Sequence, residues 1–223
     1  MNVSYIYVNI IAMLLFLLMF IVFMAAQKSR EMTAWRMLLG AMLLWSLGSL
    51  FMRMNVYPSI SFWFYVSLLS LFTIPFFVYN FLYQFADQNA RFKRIFWLVG
   101  TVIILAITPT GVFLAPPTMS VDKAGSTVFT YAMDWKIGIP TVFLIFLVVG
   151  IGRLFMKLFR EKGIGAPGVK ELIIGNLLLA VGNIVQILPG NTFPYDTLSG
   201  ILFAILICMA LYKRRMFDTT QLI

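Results

Sequence analysis

The stretch "YIYVNIIAMLLFLLMFIVFMAA", residues 5–26, carries no charge, and six comparable apolar stretches follow it at intervals of a few dozen residues. Runs of this length constrain the fold more than any other feature of the chain. In hydrocarbon every backbone N–H and C=O must find its partner within the segment, so a spanning segment is a helix of roughly 20 apolar residues, enough to cross ~30 Å. Seven spans are predicted, at about 4–27, 34–54, 60–85, 92–115, 135–158, 168–188 and 197–212. With 61% hydrophobic and 11% charged residues in 223, one soluble core could not hide the apolar surface. The expected fold is an all-α membrane protein, a single seven-transmembrane helix bundle over residues 1–223.

Charge sets the expected orientation. No Lys or Arg precedes the first span, whereas Lys28, Arg30 and Arg36 follow it, which puts the amino terminus outside and the next connection inside. Seven crossings then leave the carboxyl terminus cytoplasmic. On this topology 14 of the 17 basic residues lie inside, and the outer side keeps Arg53, Lys123 and Lys136 against Asp122, Asp134 and Asp196. The net charge of +9 is therefore a topology signal facing an anionic inner leaflet, and not a nucleic-acid-binding face. A signal peptide is excluded for the first span by its length and its lack of a basic n-region.

Several chemistries are poorly served by this sequence. Histidine is absent and Cys208, inside the last span, is the lone cysteine, which leaves no disulfide within the chain and no set of metal ligands. No cofactor is expected. No catalytic constellation is visible either, so the chain is not read as an enzyme. The turn "FREKGIGAPGVKE", with Gly163, Gly165 and Gly168, lacks the preceding strand and the spacing of a phosphate loop and reads as a connector. The longest connection, "PPTMSVDKAGSTVFTYAMD", residues 116–134, is too short for a domain of its own. Trp35, Trp97, Trp135, Tyr57 and Tyr195 fall near predicted span ends and are assigned to the aromatic belt.

Polar side chains within spans mark the faces turned inward, because in hydrocarbon they cost free energy unless partnered. Asn176 and Asn183 are seven apart and Gln186 three further on, one face of the sixth span. Trp63, Ser67 and Ser70 make a second stripe in the third span, and Asp196 and Ser199 share a face at the mouth of the seventh. These eight residues are the expected lining of an outward-facing pocket for a small, largely apolar ligand. Arg53, at the outer end of the second span, is the nearest cation to Asp196, and the two are expected to form a gating or structural ion pair. Interhelical hydrogen bonding, worth roughly 0.6 to 2 kcal/mol per bond, is the plainer use of the same residues.

The stretches "MLLWSLGSLFM", "FWFYVSLLSLFTIPFFVYNFLYQFAD" and, above all, "FPYDTLSGILFAILICMALYKRRMFD" resemble the seven-transmembrane amino-terminal region of bacterial sensor histidine kinases, a region also found ahead of diguanylate cyclases. The resemblance covers essentially the whole chain. It implies a sensor module in the bacterial cytoplasmic membrane that signals through its last helix to a cytoplasmic domain or protein, with a homodimer expected by analogy. Asn183 and Asp196 stand where that family's pattern is also polar. The sequence departs from the family's full arrangement in reaching Ile223 with no kinase or cyclase attached, so the output is expected to follow on a longer chain or to belong to a separate polypeptide. A small-molecule transporter or channel and an accessory membrane subunit are the competing readings. Against transport, the middle of every span is free of Lys, Arg, Asp and Glu.

Overall fold

The computed structural model describes residues 3–26, 29–86, 88, 91–121, 127–132, 134–163, 165–187 and 193–214. Among the described residues, seven helices are long and apolar enough to cross a membrane. They are α1 (Val3–Ala25), α2 (Arg30–Arg53), α3 (Ile60–Phe85), α4 (Arg91–Ile107), α5 (Gly138–Lys162), α6 (Val169–Ile187) and α7 (Tyr195–Lys213). The helix starts of α2, α4 and α6 gather with the helix ends of α1, α3, α5 and α7 at one end of the bundle, which holds most of the Lys and Arg. We call it the basic end. At the opposite end, β1 (Thr118–Val121) and β2 (Thr127–Thr130) pair antiparallel, Thr118 facing Thr130.

Three span boundaries move from their expected positions, each for a local reason. α2 begins at residue 30 rather than 34 because Ser29 caps it, its hydroxyl accepting from the Met32 amide at 3.0 Å. α4 stops at Ile107 instead of running to 115. Thr108–Thr110 tighten into a 3-10 turn around Pro109, which has no N–H to give, and Gly111 follows with a left-handed φ of 74°. α5 runs on to Lys162, its last turn exposing Arg160 and Lys162. Pro75 lies inside α3.

Helix packing closes the seven helices into a ring. α2 lies on α3 as the broadest interface, α6 on α7 as the next, and α1 bridges α2 and α7. α5 packs on α3 and, more narrowly, on α4 and α6, while α4 leans on α3 and makes no contact with α2. The central helices are α2 and α7, whose spanning windows are 56% and 50% buried, against 17% for both α4 and α5. Trp35, assigned above to the aromatic belt, is fully buried instead. It sits in the core edge-to-face with Phe23 and tilted against Phe81, because α2 starts a turn earlier and carries it inward. Trp135 and Tyr57 do lie exposed near helix ends, at 78% and 89%.

Glycine permits the closest of these contacts. Gly168, just before α6, and Gly175 and Gly182 on it recur every seven residues and face α7. A Cβ at Gly182 would stand 2.1 Å from Ser199 Oγ and 2.8 Å from the Tyr195 carbonyl oxygen, and one at Gly168 2.6 Å from the Ala210 carbonyl oxygen. In lipid, where the hydrophobic effect does not draw helices together, such backbone approach is what packing offers. Gly48 on α2 plays the same part against Ser67 of α3, whose backbone nitrogen would be 2.7 Å from a Cβ there.

Arginines tie off the helix ends at the basic end. Arg36 donates from Nε to the Phe23 carbonyl at 2.7 Å and from Nη2 to the Ala26 carbonyl at 2.6 Å, adding charged donors to the carbonyls at the end of α1. Arg214 does the same for α3, donating to the Phe85 carbonyl at 2.7 Å with its guanidinium over the Phe85 ring. Next to it, Lys213 pairs with Glu171 of the first turn of α6.

Candidate functional site

The ring is not filled. Between α2, α3, α5 and α6, at mid-bundle, lies a cavity of about 210 Å³. Met42 and Trp45 of α2, and Leu71, Ile74, Pro75 and Val78 of α3, form its apolar walls. Val148 and Ile151 of α5 line a third side, and α6 contributes Asn176, Leu179, Ala180 and Asn183. The α3 positions recur at three and four residues, one helical face, with Pro75 at its centre.

Two asparagines are thus the polar side chains of a chamber that is otherwise apolar apart from the Trp45 indole N–H. Each follows one of the α6 glycines, as Gly175-Asn176 and Gly182-Asn183. One residue is about a 100° turn of the helix, so the glycine stripe that seats α6 on α7 places the asparagine stripe toward the cavity. The Asn176 amide donates to the Leu172 carbonyl at 2.9 Å, and that of Asn183 to the Leu179 carbonyl at 2.8 Å. With one N–H of each Nδ2 bonded within the helix, each amide keeps its oxygen acceptor and its second N–H. Seven residues of helix separate the two by about 10 Å.

The chamber also has a side opening. α5 and α6 meet only narrowly, and Val148 at the seam is 55% exposed although it lines the cavity.

The other expected pocket residues go elsewhere. Ser67 and Trp63 belong to the α2–α3 interface: Ser67 Oγ donates to the Trp45 carbonyl at 3.4 Å, and the Trp63 indole N–H lies 3.1 and 3.2 Å from the carbonyls of Val56 and Tyr57. Ser70 donates to its own helix at Val66, 2.8 Å away, and borders a separate shallow groove with Phe20, Arg36 and Thr73. These three therefore face away from the asparagines, and α3 turns its apolar face to the chamber.

Gln186, Asp196, Ser199 and Arg53 gather at the hairpin end. Gln186 Nε2 donates to the Tyr5 hydroxyl at 2.8 Å, and its Oε1 accepts from the Tyr195 amide at 3.0 Å, joining α6 to α1 and α7. Arg53 lies 4.0 Å over the Tyr5 ring and 5.7 Å from that of Phe129 on β2. Burial pushes the Tyr131 phenol up from its ordinary value, and the Arg53 charge opposes that rise. Asp196 Oδ1 accepts from the Thr197 amide at 2.7 Å and the Thr197 hydroxyl at 3.3 Å, while Ser199 Oγ donates to the Asp196 carbonyl at 2.8 Å. Arg53 is near enough for its charge to act on Asp196. The expected ion pair is nonetheless not formed: among the described residues no Arg53–Asp196 contact falls within 4.0 Å, because each group is held by aromatic or backbone neighbours of its own.

No group of three or more His, Cys, Asp or Glu is placed to hold a metal ion among the described residues. Cys208 Sγ lies 3.8 Å from Met19 Sδ between α7 and α1.

Compared with known families, residues 8–220 match the model described as the N-terminal 7TM region of histidine kinase. No curated protein and no solved structure gives a significant match.

Proposed function

The chain belongs to the family of N-terminal 7TM regions of histidine kinases, a membrane sensor input, and from that premise we propose that its signal is a small, mostly apolar molecule carrying a hydrogen-bonding group, bound in the mid-bundle chamber. The observation that carries this reading is the pair Asn176 and Asn183, two amides in a cavity whose other walls are apolar apart from the indole of Trp45. A guest of this kind partitions into the bilayer and enters between α5 and α6.

Binding is converted to signal by the way α6 and α7 are joined. Their glycine-mediated contact and the Lys213–Glu171 pair make them one body, and the ring is thinnest between α6 and α5. A guest that prefers a wider chamber displaces the α6–α7 pair from α2 and α3. A tenfold preference for that arrangement is worth about 1.4 kcal/mol of coupling. Arg53 and Asp196 act as the gate at the far end, apart in this arrangement and paired in the other. We place the basic end in the cytoplasm, where the end of α7 passes the displacement to an output domain or partner of the kinase or cyclase type.

The test is output in membrane vesicles holding the chain with its natural output kinase or cyclase. Asn183→Leu fills the chamber and removes an acceptor, and it is expected to fix the output at one level across a panel of small lipophilic alcohols and amines. Leu177→Ala, on the lipid-facing side of the same helix at 60% exposure, leaves the response intact. A response in Asn183→Leu equal to that of the unaltered protein would remove the chamber from the account.

A further inference from the structure

A second site lies at the basic end, in the cleft that α4 leaves by leaning on α3 without touching α2. We propose that it binds an anionic phospholipid, the phosphate at the arginines and an acyl chain running toward mid-bundle.

The cleft has a volume of about 940 Å³ and is polar at its mouth and apolar in its depth. Arg30 of α2 and Arg91 and Arg94 of α4 stand around the mouth with Ser29, Gln84 and Gln88, and no Asp or Glu lines it among the described residues. Phe76, Phe77, Met37 and Leu98 line the deeper part. Phe76 is eight residues before Gln84 on α3, so the walls change from guanidinium and amide to aromatic over about 12 Å. A phospholipid passes from phosphate to acyl chain over a similar depth. A free phosphate would use the mouth and leave the groove below it empty.

Tyr83 supplies the second observation. It lines the cleft and is only 3% exposed, yet its hydroxyl has no hydrogen-bond partner. The Arg94 guanidinium lies 5.9 Å from its ring. A buried hydroxyl without a partner costs free energy, and a phosphate oxygen between Arg91 and Arg94 would accept its proton. Helices α2 and α4 both begin at this cleft, so the positive ends of their dipoles face the same anion.

The test uses the whole chain, purified in neutral detergent, stripped of lipid and titrated with phosphatidylglycerol or phosphatidylcholine while bound lipid is counted by native mass spectrometry. Phosphatidylglycerol is expected to bind at least roughly tenfold more tightly, given the contribution of each basic residue near an anionic headgroup. Replacing both Arg91→Gln and Arg94→Gln should abolish the preference. Tyr83→Phe separates binding from folding: it removes a hydroxyl that bonds nothing in the protein, so thermal stability is kept while phosphatidylglycerol binding weakens several-fold. Equal binding of the two lipids, or a preference that survives the double arginine replacement, would overturn the proposal. So would inorganic phosphate displacing the lipid completely, since the site would then belong to a free anion.

Discussion

At the scale of single residues, the bundle depends on a few side chains with defined jobs and on a few positions that carry none. Gly182 is the sharpest case. Because a Cβ there would stand 2.1 Å from Ser199 Oγ, Gly182→Val should force α6 from α7 and cost about 1–3 kcal/mol, the range for overpacking. Gly152, where an added Cβ would meet nothing within 4 Å, is the control: Gly152→Ala should be neutral in thermal unfolding followed by circular dichroism in detergent. Adding Ser199→Gly to Gly182→Ala should recover part of the loss, since the clash is with that side chain. Arg36 makes the opposite kind of contribution. Arg36→Gln removes two charge-assisted bonds to the end of α1, and with a net cost of about 2 kcal/mol it should open residues 20–26 to hydrogen exchange ahead of the rest of the bundle.

At the scale of elements, α6 and α7 behave as one body only while their junction at the basic end holds. Glu171 is 7% exposed, and Lys213 is its partner there. Glu171→Gln should therefore loosen the last turn of α7, read as faster amide exchange over residues 208–213 with α2 and α3 unchanged. Unchanged exchange at that turn would mean that the glycine contact alone binds the pair. The seven elements themselves were legible in the sequence because an apolar run of spanning length has one backbone solution in lipid. Their ends were less so: Ser29 as a cap and the Thr108-Pro109-Thr110-Gly111 turn act over one or two residues and hardly alter the run. The chamber was half legible. Asn176 and Asn183 stand out because amides are costly in hydrocarbon, but Met42, Trp45, Val148 and Ile151 line it with side chains that would read identically in a packed core. Ser67 and Ser70 stand outside this chamber for a physical reason, since a serine can spend its hydroxyl on a neighbouring carbonyl.

At the scale of the whole molecule, signalling comes down to one mechanical step: enlarging the contents of the chamber moves α6 and α7 together against the rest of the ring. A guest need not be identified to examine it, because a side chain can stand in for one. Ala180, itself exposed, lines the chamber, while its neighbour Val181, 55% exposed, lies outside the lining. Spin labels at Arg160→Cys on α5 and Tyr212→Cys on α7, in a Cys208→Ser background, report the separation of the two bodies at the basic end by pulsed dipolar spectroscopy in lipid nanodiscs. Ala180→Phe is expected to shift this distance distribution while Val181→Phe leaves it in place. A distribution that is the same for Ala180→Phe as for the unfilled chain, in protein that remains folded, would contradict that step.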